Sequence, residues 1–285
     1  MLNPVLRREA QTSLRNWKIF GAITLYIALV AASAGFFVWA NVFNSYDFSF
    51  DPQSMIMLYA LLSGLQLCLI LVTVPALTAG SISGERERQT LDLLLVTKMS
   101  PFSIVFGKLM SCVGIVILMT IATVPVFAMI FCFGGISLLN LLAVTGFLIV
   151  TTCMVGAFSI FMSTVLKKTM ISMVVVYLVI GFLCLGTLVG FLLYSSYTWS
   201  VNGSAPEIAM GYMFLSANPG IGFVSVIDSQ IGTSVLAEMV GMYNSNFGFP
   251  VAFWVVNMIF DVAVMVVFLI LAALNIRIGS KSRKK

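Results

Sequence analysis

Six long apolar runs dominate this sequence, and they limit it to one class of fold. They lie at roughly 19–42, 55–81, 103–133, 138–166, 169–197 and 249–276. About 20 apolar residues are enough for one helix to cross the hydrocarbon core of a bilayer. Only 9% of the 285 residues are charged, whereas soluble domains carry about 25%. The sequence therefore predicts a single-domain, all-α polytopic membrane protein with six transmembrane helices.

The basic residues indicate how these spans are oriented. When six spans are drawn, all fifteen Lys and Arg residues fall on one side of the membrane. The charged residues of the opposite loops are all acidic. Because positively charged loops stay on the cytoplasmic side, both the N-terminus and the C-terminus are predicted to be cytoplasmic. We expect a multi-pass protein in the plasma (cytoplasmic) membrane of a bacterium.

Two further segments are predicted to lie at the membrane surface. Residues 1–18 place apolar side chains, including Trp17, at helical spacing with basic residues between them, which favours an amphipathic interfacial helix. An ordinary basic flank before the first span is the alternative. The outer segment 198–248 contains apolar runs too short to span, which predicts extracellular or re-entrant helices broken at Asn218-Pro219-Gly220.

The residue types argue against catalysis by this chain. Histidine is absent, which removes the commonest general base and the imidazole metal ligand. The five cysteines lie in apolar runs and lack the spacing of zinc ligands. Gly107-Lys108 lacks the upstream glycine and the following Ser or Thr of a phosphate-binding loop, so another chain would have to bind any ATP. We expect no enzymatic site, metal, bound cofactor or nucleic-acid partner.

Two features inside the spans are candidate sites. Asp261 is the only ionisable residue deep in a span, where a carboxylate is costly and usually faces the bundle interior or a wet cavity. It is a candidate for a transport path or for ion coupling, and the alternative is a structural acid bonded to a neighbour such as Asn257. Gly186 and Gly190 form a small-xxx-small pattern that favours helix–helix contact, although such patterns are frequent in apolar runs.

A charged segment follows the second span. Residues 83–101 read SGERERQTLDLLLVTKMSP. Acids near its start favour a helix there, and the pairs Glu85–Arg88 and Arg88–Asp92 have the spacing of helical ion pairs.

The length of this segment is informative. Ser100-Pro101 is a signal for the start of the next helix. A plain connector can be as short as Lys167-Lys168, so the longer charged loop predicts a helical docking surface on the cytoplasmic side. A solvated loop that only connects two spans is the alternative.

The charged segment resembles the signature of ABC-2 type permeases, the membrane subunits of one class of ABC exporter. The resemblance depends on the run from Ile82 to Leu95 and on the Ser100-Pro101 and Gly107-Lys108 pairs that follow it. The six spans and the Asn218-Pro219 dipeptide extend the likeness over nearly the whole chain. Gln89 departs from the pattern, because relatives often have glycine at this position.

The resemblance implies a two-component exporter. Two permease chains, identical or different, would pair in the bilayer, and two separate ABC-type ATPase subunits would bind ATP and Mg²⁺ and dock below them. A coupling helix in the charged segment would transmit ATPase closure to the spans and drive export of a lipophilic or amphipathic cargo such as a peptide, drug or lipid. The implied interface consists of Ser83, Gly84, Glu85, Arg86, Glu87, Arg88, Thr90, Leu91 and Asp92.

Two other functions are compatible with the same residues. An ion-coupled secondary carrier or channel would use Asp261, although internal repeats typical of carriers are not evident. A non-transporting membrane anchor would recruit a soluble partner through the charged loop.

Overall fold

The computed structural model describes residues 17–40, 52–90, 100–132, 136–203, 208–233, 235 and 252–282. Within these ranges every regular element is helical. Six helical stretches are long and apolar enough to cross a membrane: Phe20–Val38, Gln53–Glu87, Pro101–Ala122, Leu138–Val165, Thr169–Asn202 and Phe253–Ile276. The predicted all-α architecture with six helices of membrane-spanning length is therefore confirmed.

The helices are numbered in chain order. They are α1 (Trp17–Val38), α2 (Pro52–Thr78), α3 (Ser83–Glu87), α4 (Pro101–Ala122), α5 (Val124–Cys132), α6 (Leu138–Val165), α7 (Thr169–Gly181), α8 (Thr187–Asn202), α9 (Ile208–Leu215), α10 (Pro219–Ile231) and α11 (Phe253–Ser282). A π-helical segment, Phe182–Gly186, connects α7 to α8. Residues 1–16 of the predicted interfacial helix lie outside the described residues, and Trp17 begins α1.

The predicted run 103–133 is not one continuous helix. It is interrupted at Thr123, between α4 and α5. Pro125 explains the interruption, because proline has no N–H to donate and its ring clashes with the carbonyl four residues earlier. The Thr123 N–H instead bonds the Thr120 carbonyl at 3.2 Å, and Gln66 of α2 donates to the Thr123 hydroxyl at 2.6 Å. The break is thus held by a side chain from a neighbouring helix.

The chain divides into two compact units, of which the first comprises Met1–Val176 and Met265–Lys285. Its core is an apolar cluster made by α4, α6, the end of α11 and the turn before α3. The buried members are Ile82, Val105, Leu109, Val113, Ala157, Ile160, Leu269, Ala272 and Ile276. Gly156 lets α4 and α6 approach closely, because a Cβ at this position would lie 2.7 Å from Leu109 Cδ1.

The second unit, Tyr177–Val264, has a smaller apolar core of Phe191, Leu215, Ile221 and Phe253. Part of the predicted outer segment 198–248 lies here as α9 and α10. The break predicted at Asn218-Pro219 is confirmed, because Asn218 Oδ1 accepts from Gly220 N at 2.9 Å and caps α10, with Pro219 in its first turn. The Asn218 amide also donates to the Cys184 carbonyl in the π-helical segment at 2.8 Å.

Candidate functional site

The short helix α3 receives its N-terminal cap from another helix. Ile82 occupies its N-cap position and has no side-chain acceptor to offer. Ser163 of α6 takes this role: its Oγ accepts from Ile82 N at 3.0 Å and from Ser83 N at 2.9 Å. All three residues are fully buried. The first amides of α3 are therefore satisfied by α6, away from water.

The other end of α3 closes with a Schellman motif. Thr90 N bonds the Glu85 carbonyl at 2.9 Å, and Gln89 N bonds the Arg86 carbonyl at 3.1 Å. Gln89 has a φ of 57°, in the left-handed region that favours glycine. Gln89 thus has the backbone conformation that glycine adopts most easily.

Both acids of α3 bond to other helices of the chain. Glu85 Oε1 forms an ion pair with Lys108 Nζ of α4 at 2.9 Å, and Lys108 is only 6% exposed. Glu87 accepts two hydrogen bonds at the start of α7, from Thr169 N at 2.9 Å and from Thr169 Oγ1 at 2.8 Å. Since each carboxylate is engaged within the chain, the acids connect α3 to the spans.

A basic residue completes these connections. Arg86 Nη2 donates to the Thr164 carbonyl at the end of α6, at 3.1 Å, and Asn275 of α11 donates to the Thr164 hydroxyl at 3.1 Å. We refer to Lys108, Ser163, Thr164 and Thr169 as the anchor residues. They tie α3 to α4, α6 and α7.

The predicted ion pair between Glu85 and Arg88 is wrong. Glu85 instead pairs with Lys108, which reaches it from α4, and Arg88 is exposed just beyond the end of the helix. The reason is that α3 ends at Glu87, so Arg88 does not continue the helical spacing on which the prediction depended. The second predicted pair, Arg88–Asp92, lies outside the described residues because it includes Asp92.

The residues of the predicted interface divide between an inner and an outer side of α3. Ser83 is buried, Gly84, Glu85 and Arg86 are partly buried, and Glu87, Arg88 and Thr90 are exposed. Leu91, like Asp92, lies outside the described residues. The anchor residues were missed from the sequence, and among them only Lys108 carried a signal, as a cation close to the start of a span.

The buried acid Asp261 lies in the second unit. It is 0% exposed in α11, as expected for a carboxyl group placed deep in a span. The proposed hydrogen bond between Asp261 and Asn257 is not formed. The Asn257 amide donates instead to the carbonyls of Ser216 at 2.6 Å and Asn218 at 3.3 Å.

The surroundings of Gly186 and Gly190 differ from each other. A Cβ at Gly190 would meet nothing within 4 Å. A Cβ at Gly186 would lie 2.7 Å from the Phe182 ring, which belongs to the same π-helical segment. The small-xxx-small contact between helices stays a prediction. Close approaches occur instead at Gly80, beside Thr169, and at Gly222, beside Asn257.

Neither a metal site nor likeness to a known protein assigns a function. In the ranges that the structure describes, no group of three or more His, Cys, Asp or Glu side chains is placed to hold a metal ion. The Lys108 ion pair and the hydrogen bonds of α3 join this short helix to neighbouring helices. Comparison with protein-family models and with curated proteins finds no match to this chain.

Replacing Lys108 by Met should lower the free energy of unfolding by about 1–3 kcal/mol. Removal of one partner of a buried pair usually costs about 3–5 kcal/mol, and we expect a smaller cost here because the Glu85 side chain is 27% exposed. Titration with sodium dodecyl sulfate in mixed micelles, followed by tryptophan fluorescence, measures the change.

Arg88→Met is the matched control, because it removes an exposed cation that makes none of these contacts. We expect it to change stability by less than about 0.5 kcal/mol. Adding Glu85→Gln to Lys108→Met should recover part of the loss. Equal effects of Lys108→Met and Arg88→Met would contradict a role for the ion pair.

Proposed function

We propose that this chain is the membrane subunit of an ATP-driven exporter of the ABC-2 type. One observation carries the proposal: a short polar helix at the end of the second span is bonded to three other helices and still presents exposed charged residues. Glu85 and Glu87 make the inward connections, and Arg88 and Thr90 stay accessible. This arrangement suits a helix that receives force from a partner and passes it to the spans.

The contacts of α3 describe how such a force would spread. A displacement of α3 would act on α4 through Lys108, on α6 through Ser163 and on α7 through Thr169. Packed helices have discrete alternative arrangements, and a partner that binds one arrangement more tightly shifts the population toward it. In the proposed exporter, nucleotide binding on separate ATPase subunits biases two paired permease chains between inward-facing and outward-facing states.

The positions of the cations support the proposed orientation. Lys108 and the Lys167-Lys168 turn come together at α3, although they belong to different parts of the sequence. These span ends share one side in the proposed topology, with both termini cytoplasmic in a bacterial plasma membrane. A lipophilic or amphipathic cargo fits a path between apolar helices.

An ion-coupled carrier is the second candidate, because Asp261 is fully buried. The two functions differ in their energy source. Transport that follows an ion gradient without ATP, and that is lost in Asp261→Asn, would favour the carrier. Transport that requires ATP would favour the exporter.

The double variant Glu85→Lys, Glu87→Lys should separate ATP hydrolysis from transport. The permease is purified in mild detergent from its native membrane together with any bound ATPase, and uptake of a fluorescent amphipathic dye is followed in inside-out vesicles. A lysine at position 85 would repel Lys108, and a lysine at position 87 could not accept the hydrogen bonds from Thr169. With both connections lost, α3 should no longer move the spans. We expect hydrolysis to persist and dye uptake per ATP to fall about tenfold or more.

Asp228→Lys is the matched control, since it reverses one acid in the second unit. It should leave the ratio of uptake to hydrolysis unchanged. The proposed function would be refuted if the purified wild-type preparation showed no ATP hydrolysis, or if dye uptake were unchanged in the double variant.

A further inference from the structure

The described part of the first unit has only two acids, Glu85 and Glu87, and both are engaged with other helices. Among the residues that the structure describes, the exposed charges that remain beside α3 are basic. They belong to Arg88, at the end of the helix, and to Lys167 and Lys168, in the turn between α6 and α7. The unengaged charge of this surface is therefore basic, although the start of the segment, 83–88, carries two acids and two basic residues.

Glu87 brings these cations together from distant parts of the sequence. The Thr169 N–H that bonds Glu87 Oε1 belongs to the peptide unit that follows Lys168, and Arg88 is the residue after Glu87. Because neighbouring Cα atoms are about 3.8 Å apart, Arg88 and Lys168 must both lie close to this hydrogen bond. We name Arg88, Lys167 and Lys168 the basic corner.

The backbone on both sides of the basic corner is fixed. The Schellman motif holds the chain at Gln89 and Thr90, and Arg86 is bonded to the Thr164 carbonyl near the turn. A surface that is already ordered loses less conformational entropy when a partner binds. This favours a partner with a complementary shape of its own.

We infer that the basic corner is a docking surface for an acidic patch on a protein partner. The inference rests on the proposed function and adds to it the composition of the surface and the charge of its partner. Gln89 and Thr90, both exposed, add neutral hydrogen-bonding groups beside the cations. A protein is favoured over anionic lipid because these neutral groups and the Glu87 carboxylate are interspersed with the cations, whereas headgroups favour an uninterrupted basic cluster.

The test measures how much ATPase stays bound to the full-length permease. Wild type and the triple variant Arg88→Glu, Lys167→Glu, Lys168→Glu are purified from native membranes into nanodiscs of phosphatidylcholine. Retained ATP hydrolysis per permease is then assayed at low and high salt. We expect wild-type retention to fall as salt rises and the triple variant to bind at least about tenfold more weakly at low salt.

The matched control reverses three cations of the C-terminal tail: Lys281→Glu, Arg283→Glu and Lys284→Glu. It changes the net charge by the same amount and should retain the ATPase like wild type. If the triple variant does not fold, Lys167→Gln, Lys168→Gln replaces it, with an expected loss of about threefold or more.

Each outcome separates the two proposals. Wild-type chain that retains no ATPase would refute the proposed function, and this inference with it. A bound ATPase that the triple variant retains as well as wild type would overturn only the inference. Only the inference would also be overturned if the triple variant lost the ATPase solely in nanodiscs that contain phosphatidylglycerol, because the basic corner would then bind lipid headgroups.

Discussion

Replacing Ser163 by Ala should lower the free energy of unfolding by about 2–4 kcal/mol, one of the two largest effects expected in this protein. The Ser163 hydroxyl accepts from the amides of Ile82 and Ser83, both fully buried. Without it, two buried N–H groups would have no acceptor, and each such group costs about 1–3 kcal/mol. Detergent titration followed by tryptophan fluorescence measures the loss.

Ser159→Ala is the matched control for this experiment. Ser159 lies one turn earlier on α6 and is equally buried, but its hydroxyl only donates to the Val155 carbonyl of its own helix. Its removal leaves no amide without an acceptor, so we expect a change of less than about 1 kcal/mol. If Ser163→Ala and Ser159→Ala are equally stable, Ser163 does not cap α3 in the membrane.

Replacing Gly222 by Ala should also destabilise the protein by about 2–4 kcal/mol. A Cβ at this position would overlap the amide of Asn257, with Asn257 Cγ at 2.5 Å. Asn257 is fully buried and holds the carbonyls of Ser216 and Asn218, so it cannot move without losing these hydrogen bonds. The expected cost combines overpacking with the loss of buried hydrogen bonds.

Gly190→Ala is the control for Gly222→Ala. A Cβ at Gly190 would meet nothing within 4 Å, so the higher helix propensity of alanine should leave the protein unchanged or stabilise it by up to about 1 kcal/mol. The double variant Gly222→Ala, Asn257→Ala should be more stable than the sum of the single changes predicts, because the smaller side chain removes the overlap. Additive losses would contradict the proposed clash.

The helices of the first unit show which parts of this fold can be predicted from the sequence. Ser100 was predicted to start a helix with Pro101, and its hydroxyl accepts from Ser103 N at 3.2 Å at the start of α4. Such caps join residues two or three positions apart, so local sequence is sufficient to indicate them. Pro125 is likewise a local signal for the break at Thr123 within the run 103–133, because proline lacks an N–H and its ring interrupts a helix.

The contacts of α3 could not be predicted in the same way. Ser163 lies about 80 residues from the amides that it caps, and in the sequence it is one of many hydroxyl residues in an apolar helix. Helical spacing predicted an ion pair between Arg88 and Glu85. Such spacing applies only where the helix continues, and α3 ends at Glu87. The Schellman motif also lacked its usual signal, because Gln89 occupies the glycine position.

The sequence by itself determined that this chain is a set of six apolar helices of membrane-spanning length. That outcome follows because, in a bilayer, a helix satisfies its own backbone hydrogen bonds, so length and hydropathy are sufficient. Only the tertiary structure decided which residues the charges of α3 contact. Glu85 meets Lys108 and Glu87 meets Thr169 because the ends of α4 and α7 arrive beside α3, and packing of distant helices sets that arrangement.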